Sequence, residues 1–285
     1  MTASPYELDG QPHLKEHTMR RCAIVTGASS GIGEALAVAM AAQGTHVLLV
    51  ARSEDRLTAL AGRIEGAGGR ATALPMDLAA PGAAQRLFDE VQSRGLPVDT
   101  LVNNAGFGFY GPFETEAPTH LGEMLQVNVV ALAELTRLFV PTLLARRGAV
   151  LNVASTVAFQ PSPYMSAYGA TKAFVLSFSE ALWAEYRGRG LHVAAVCPGP
   201  VETPFIDAMG AGVRSTAVFK MALSVDDVVR ACLRALDGRG PTRIVGRVNW
   251  LLAQTSRLSP RALTARISAA MFAPRATATP SLEQR

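Results

Sequence analysis

The chain has 285 residues, 49% of them hydrophobic and 18% charged. That balance can bury a sizeable core and excludes a disordered, collagen-like or coiled-coil protein. The formal charge is +4, supplied almost wholly by arginine because only Lys15, Lys172 and Lys220 are lysines; these cations are scattered, not gathered into the patch a nucleic-acid footprint requires.

In chain order, residues 1–19 are polar, with Glu7, Asp9 and Glu16 interrupting any apolar run. They are expected to be a mobile extension and not a signal peptide. A buried strand is predicted at 21–26, a helix at 31–43, a strand at 45–51 and a helix at 53–65. A strand at 70–75, a helix at 83–94 and a strand at 100–103 follow. Residues 121–147 form one long helix or two, then a strand at 149–153, a helix at 166–187 and a strand at 191–197. A helix at 226–236 opens with the capping spacing Ser224-x-x-Asp227, and a short strand at 243–245 closes the series. Strands alternating with helices imply crossover units and a parallel sheet covered on both faces. The fold class is therefore α/β, a doubly wound Rossmann-like sheet in a single domain at 20–246, with a helical tail at 247–285.

No uninterrupted apolar stretch reaches the ~18 residues of a membrane span; the best candidate, 127–138, is broken by Asn128, Glu134 and Arg137. The three cysteines, Cys22, Cys197 and Cys232, are far apart, and the five histidines are dispersed. A disulfide framework and a metal site are not expected, and the odd cysteine count suits a reducing compartment. Stable membrane insertion is not expected, and the location is expected to be cytoplasmic.

Between the first strand and first helix stands Thr26-Gly27-Ala28-Ser29-Ser30-Gly31-Ile32-Gly33. Such a turn lets backbone approach a pyrophosphate and aims helix N–H groups at it. Glycine removes Cβ from the approach path, and Ser29 and Ser30 offer hydroxyl donors. The other reading of the same residues is an ordinary glycine turn capped by serine.

With Asn103-Asn104-Ala105-Gly106, Tyr168-Gly169-Ala170-Thr171-Lys172 and Pro198-Gly199 in the same order, and Asn128 and Ser155 in register, the chain resembles the short-chain dehydrogenase/reductase family from about residue 21 to 245. Ser155 precedes Tyr168 by thirteen residues, the family's spacing. The resemblance implies a nicotinamide cofactor held by Gly27, Ser29, Ser30, Gly31, Ile32 and Gly33. Asp77 and the Leu78 backbone are then expected at the adenine edge, and Asn104, Ala105 and Gly106 against the ribose. Pro198, Gly199, Val201 and Thr203 are expected near the carboxamide. Asn103 is expected to brace the sheet. Asp77 also suits an N-cap.

The second strand ends Val50-Ala51-Arg52, with no acid until Glu54. NAD sites place an acid there for the ribose 2′-hydroxyl; an arginine pairs a 2′-phosphate instead. Arg52 thus points to NADP(H), the alternative being a solvated Arg52 with Glu54 on the ribose. Ser53 is expected as a helix N-cap.

Carbonyl reduction needs a hydride donor and a proton donor. Tyr168 and Lys172, four apart, share one helix face. A nearby ammonium favours phenolate and is expected to move the tyrosine toward neutrality. Lys172 would also bind nicotinamide ribose hydroxyls, and Ser155 would donate to the developing oxyanion. The resemblance implies a local helix distortion at Asn128 that holds a water in a proton relay to Lys172. The expected activity is NADP(H)-dependent interconversion of a small-molecule carbonyl and its alcohol. The alternatives are a non-catalytic NADP-binding regulator on the same fold, which typically loses the tyrosine or lysine, and an epimerase or dehydratase of the extended branch, which carries another glycine spacing.

Phe205, Ile206, Met209, Val213, Val218, Phe219 and Met221, with Gly210 and Gly212 as hinges, are expected to shape an apolar pocket, and Phe107, Phe109, Tyr110 and Phe113 its other wall. Homodimers or homotetramers are expected through helices 121–147 and 166–187, using Leu135, Leu138, Phe139, Phe174, Leu176, Phe178, Leu182 and Trp183. In the tail, a first helix is expected to end near Leu258 and a second to begin with Pro260 at its first position. Leu263, Ile267 and Met271 form a stripe that must be covered. The cover is expected to be the pocket mouth or a subunit interface, the alternative being an interfacial helix on anionic lipid.

Overall fold

The computed structural model describes residues 21–210, 212–216, 219, 222–238 and 240–273; the expected extension at 1–19, Val218, Met221 and the tail beyond 273 lie outside them. Strands β1 (Cys22–Thr26), β2 (His46–Ala51), β3 (Arg70–Pro75), β4 (Thr100–Asn103), β5 (Ala149–Val153), β6 (His192–Cys197) and β7 (Thr242–Ile244) form one sheet in the order β3-β2-β1-β4-β5-β6-β7. Every pairing is parallel.

The strands are apolar throughout because successive side chains feed two cores. Ala23 and Val25 of β1, with Val47 and Leu49 of β2, pack among α1 (Gly31–Ala42), α2 (Glu54–Gly66) and α8 (Val225–Asp237). Cys22, Ile24, Leu48 and Val50 point the other way, toward α3 (Ala83–Ser93) and α5 (Leu132–Ala145). Each fully buried Ile or Leu contributes roughly 1.5–3 kcal/mol by leaving water. Asn103 braces the sheet as expected: its amide donates to Asn152 Oδ1 at 2.9 Å and Thr136 Oγ1 at 3.1 Å, and Asn152 donates to Ser179 Oγ at 2.9 Å.

The predicted long helix is α4 (Pro118–Leu125) and α5 joined by a π-helical turn over Gln126–Ala131. The run 118–145 is long and apolar enough, by length and composition, to cross a membrane. In this fold its Leu132, Leu135, Phe139 and Leu143 are buried in the domain.

After α6 (Ser166–Tyr186) and α7 (Pro204–Met209) come the tail helices α9 (Arg247–Leu258) and α10 (Arg261–Phe272). Pro260 is the N-cap of α10 and not its first residue. The expected stripe is divided: Leu263 is turned outward, Ile267 is about half exposed but, with Met271, lines the mouth of the cleft described below, and Thr264, Ser268 and Phe272 face the protein. Periodicity identifies residues that share a face; here polar partners, described below, decide which face docks.

Candidate active site

The order of strands reverses between β1 and β4, so their carboxyl ends open a crevice, the usual ligand position in such sheets. A cleft of about 630 Å³ begins there and runs to the tail. Gly27 and Gly31 adopt φ of +66° and +58°, which the turn requires. Asn104 clamps the turn by donating to the Thr26 carbonyl at 2.9 Å, and Thr26 Oγ1 accepts from the N–H groups of Asn104 and Ala105, both at 3.0 Å.

Gly27, Ser29, Ser30, Gly31 and Ile32 line the cleft, as do Asn104, Ala105 and Gly106. Gly33 does not. A Cβ there would strike the Gly27 carbonyl and the Asn104 amide, so its role is close packing of helix on turn. A Cβ on Gly31 would lie 3.2 Å from Thr203 Cγ2 and narrow the cleft. Ser30 is the N-cap residue of α1 but makes no side-chain cap bond, so its hydroxyl is free to serve the cleft.

At the next strand ends stand Arg52, Ser53, Arg56, Asp77 and Leu78. Ser53 is the N-cap residue of α2, again without a side-chain cap bond. Glu54 is absent from the lining, which disfavours its ribose role. Arg56, in the first turn of α2, lines the cleft with Arg52 and lay outside the expected set. Asp77 does not cap α3, whose N-cap is Gly82; its carboxylate accepts from Ala79 N at 3.0 Å and fixes the loop edge. Pro198, Gly199, Val201 and Thr203 complete the lining as expected. The bare turn, the free hydroxyls and the paired arginines suit a nicotinamide dinucleotide.

The innermost groups are Ser155, Tyr168 and Lys172, all under 10% exposed. Tyr168 and Lys172 sit one turn apart on α6, the ammonium 5.8 Å from the phenol ring centre. Lys172 Nζ donates to the Val153 carbonyl at 2.7 Å. Burial lowers its pKa to about 8, and neighbouring Cys197 opposes the shift. Burial raises the Tyr168 pKa, with the Ser155 hydrogen bond opposing. The expectation of a tyrosine moved toward neutrality is thus corrected for the protein alone: desolvation of a phenolate outweighs the hydroxyl. Ser155 Oγ also accepts from Val157 N at 3.3 Å.

Asn128 does lie in a distorted helix, the π turn. It is not among the residues that line the cleft, but its Oδ1 lies near Lys172 Nζ across Gly106: a Cβ on that glycine would stand 2.9 and 3.6 Å from the two atoms. Its carboxamide is 1% exposed and bonds both backbone groups of Phe107, at 2.8 and 3.1 Å, and Thr171 Oγ1 at 3.1 Å. It therefore holds the loop after β4 against α6, beside Tyr168 and Lys172. Gly108 lets that loop touch the tyrosine: a Cβ there would stand 2.8 Å from Tyr168 Cδ2.

Beyond the tyrosine the walls are apolar. Phe107, Phe205, Ile206, Met209, Val213 and Phe219 line them. Tyr110 packs in the same cluster, Phe109 faces His120, and Phe113 is 59% exposed and outside the lining. Gly210 takes φ +128° at the end of α7. The far wall is the tail: Leu252, Ser256, Thr264, Ile267, Met271 and Phe272. Of the residues expected at a subunit interface, Leu135, Phe139 and Leu176 are buried in the chain's own core, and Phe174 is the exposed one.

Residues 21–213 match the short chain dehydrogenase family. A short chain dehydrogenase of Pseudocercospora fijiensis is 42% identical over 208 residues, 70% of this chain and 67% of that one. A very-long-chain 3-oxoacyl-CoA reductase of Anas platyrhynchos is 35% identical over 189 residues, 64% of this chain and 60% of the other. The chain thus spans about three-fifths to two-thirds of these curated relatives. A short-chain dehydrogenase of Sphingobium yanoikuyae, solved with NADPH, superposes with a TM-score of 0.74 at 32% identity, covering 84% of this chain and 94% of that one. Sheet order, glycine turn and Tyr168–Lys172 pair agree with that likeness: the chain belongs to the short-chain dehydrogenase/reductase family of oxidoreductases.

Proposed function

We propose that the protein is an NADP(H)-dependent oxidoreductase that reduces the carbonyl of an apolar small molecule, or oxidises the matching alcohol, with Tyr168 as general acid and base. The carrying observation is one continuous cleft that runs from the glycine turn, past Tyr168, into apolar walls. The NADP(H) preference rests on Arg52 and Arg56 at the rim and on Glu54 lying off the cleft. When bound, the dihydronicotinamide supplies the hydride. Tyr168, held protonated by burial, donates its phenolic proton to the carbonyl oxygen, and the Ser155 hydroxyl stabilises that oxygen as charge develops. Lys172 stands close enough to stabilise the phenolate left behind until solvent returns the proton. Asn128 keeps the Phe107 loop and α6 in register.

The Anas relative named for a long 3-oxoacyl thioester supports a substrate with an extended apolar arm. A cytoplasmic homodimer or homotetramer joined through α5 and α6 belongs to the same proposal. NADPH oxidation followed at 340 nm with a panel of ketones and aldehydes tests the reading. Turnover that grows with the apolar bulk of the carbonyl is expected; a protein that binds NADPH tightly and turns over none of the panel would be the regulator instead.

A further inference from the structure

Helices α9 and α10 turn most of their small polar side chains toward the protein, beside Ala253 and Phe272, and leave most of their large apolar ones outside. On α9 the inward side carries Asn249, which donates to the Val245 carbonyl at 2.8 Å, and Ser256, which donates to the Phe159 carbonyl at 3.2 Å. On α10 it carries Thr264, Ser268 and Phe272, and the Phe272 carbonyl accepts from the Tyr110 hydroxyl at 2.6 Å. The outward sides leave Val248, Trp250, Leu251, Leu258, Leu263 and Ile267 between 50% and 89% exposed. A helix seated on a water-soluble core shows the opposite arrangement, and an apolar face of this extent calls for an occupant.

Charge decides which occupant. Between 246 and 273 stand Arg247, Arg257, Arg261 and Arg266 and no Asp or Glu, and Arg247, Arg261 and Arg266 are exposed. A second copy laid on this face would set arginine against arginine. Anionic headgroups above an apolar layer complement both features. Leu252 and Ile267, moreover, belong to the exposed face and to the rim of the cleft.

We infer that α9 and α10 seat the protein on an anionic lipid surface, with the mouth of the cleft turned toward the bilayer. The seating stands on the face itself; the passage of substrate from the bilayer rests on the function proposed above. The test uses the full chain with phosphatidylglycerol–phosphatidylcholine vesicles and with phosphatidylcholine alone. Cosedimentation is expected with the anionic vesicles and at least about tenfold weaker on the neutral ones, and raising salt from about 50 to about 500 mM is expected to release the protein. In a Trp183→Phe background, Trp250 emission should shift to the blue on binding. Leu251→Asp combined with Leu263→Asp should weaken partitioning at least about tenfold, and Arg261→Gln or Arg266→Gln about fivefold each. None of these four residues lines the cleft, so turnover of a water-soluble carbonyl should stay unchanged. Absence of binding to anionic vesicles at low salt overturns the inference. So does equal binding to neutral vesicles, or a dimer that already shields Trp250 without lipid. Vesicle binding by a protein without carbonyl turnover would sink the functional reading and leave the docking intact.

Discussion

Lys172 should cost the free protein stability that a neutral side chain would restore. The residue is 5% exposed, and among the described residues no carboxylate contributes to the shift. Burial takes its pKa from 10.5 to about 8, a displacement worth roughly 3 kcal/mol against the folded state. In Lys172→Met the stem still packs and the charge is gone. The Val153 carbonyl loses its donor, which returns about 1 kcal/mol. The variant should therefore be stabilised by roughly 2 kcal/mol at pH 7, a rise in Tm of about 4–8 °C for a chain of this size. The pH dependence carries the sign. Below about 8 the folded state must hold the buried charge and the full penalty applies. Between about 8 and 10.5 the folded lysine is neutral while the unfolded one is charged, so native stability rises with pH relative to the variant. Differential scanning fluorimetry of both proteins at pH 7 and pH 10, without cofactor, should show the gap closing. A variant no more stable at pH 7, or a gap that is the same at both pH values, would refute the reasoning. Turnover should be lost in either case.

Tyr168→Phe removes one oxygen and keeps the ring, so kcat should fall at least about a thousandfold, with the NADPH Kd from fluorescence titration unchanged within about twofold. Arg52→Asp replaces a charge-assisted partner by a repulsive one; the ratio of kcat/KM for NADPH over NADH should drop at least about tenfold, and an unchanged ratio would remove Arg52 from the 2′-phosphate site. Gly108→Ala pushes on the Tyr168 ring, where the gap is 2.8 Å. Its kcat should fall about tenfold, because small displacements of a reacting group are costly, and its Tm should fall too, since overpacking a filled core costs about 1–3 kcal/mol; wild-type kcat and Tm would show that the contact is slack.

Strands buried on both faces are unbroken apolar runs, so Cys22–Thr26 and His46–Ala51 were legible in sequence to within one residue. Tyr168 and Lys172 were legible because a step of four shares a helix face, and Ser155 through the family resemblance. Asn128 was legible as a residue but not as a bracket behind the wall, since its partners at Phe107 come from another loop. Glycines look alike in sequence, and Gly33 serves packing while Gly31 faces the cleft. The Tyr168 shift was misjudged because burial depth is a tertiary quantity. Phe113 was placed in the pocket by proximity to Gly106, yet the chain turns it out to solvent. The tail stripe was legible in part: Ile267 and Met271 do line the cleft, while Leu263 turns out because a helical wheel has no absolute orientation and the tail docks by Asn249, Ser256 and the Phe272 carbonyl.

The π turn at Gln126–Ala131 can also be seen as a phase shift. An α-helix advances 100° per residue, so one surplus residue in a wide turn rotates everything before it against everything after it. Leu132, Leu135 and Phe139 keep their grip on the sheet while Asn128 swings to the loop behind the tyrosine. Deleting Val129, with α5 held in place, would rotate α4 and Asn128 by about 100° against the core that buries Met124, and would turn the carboxamide away from Phe107. The contacts of α5 with the sheet would remain, while the loop that carries Phe107 would lose its bracket.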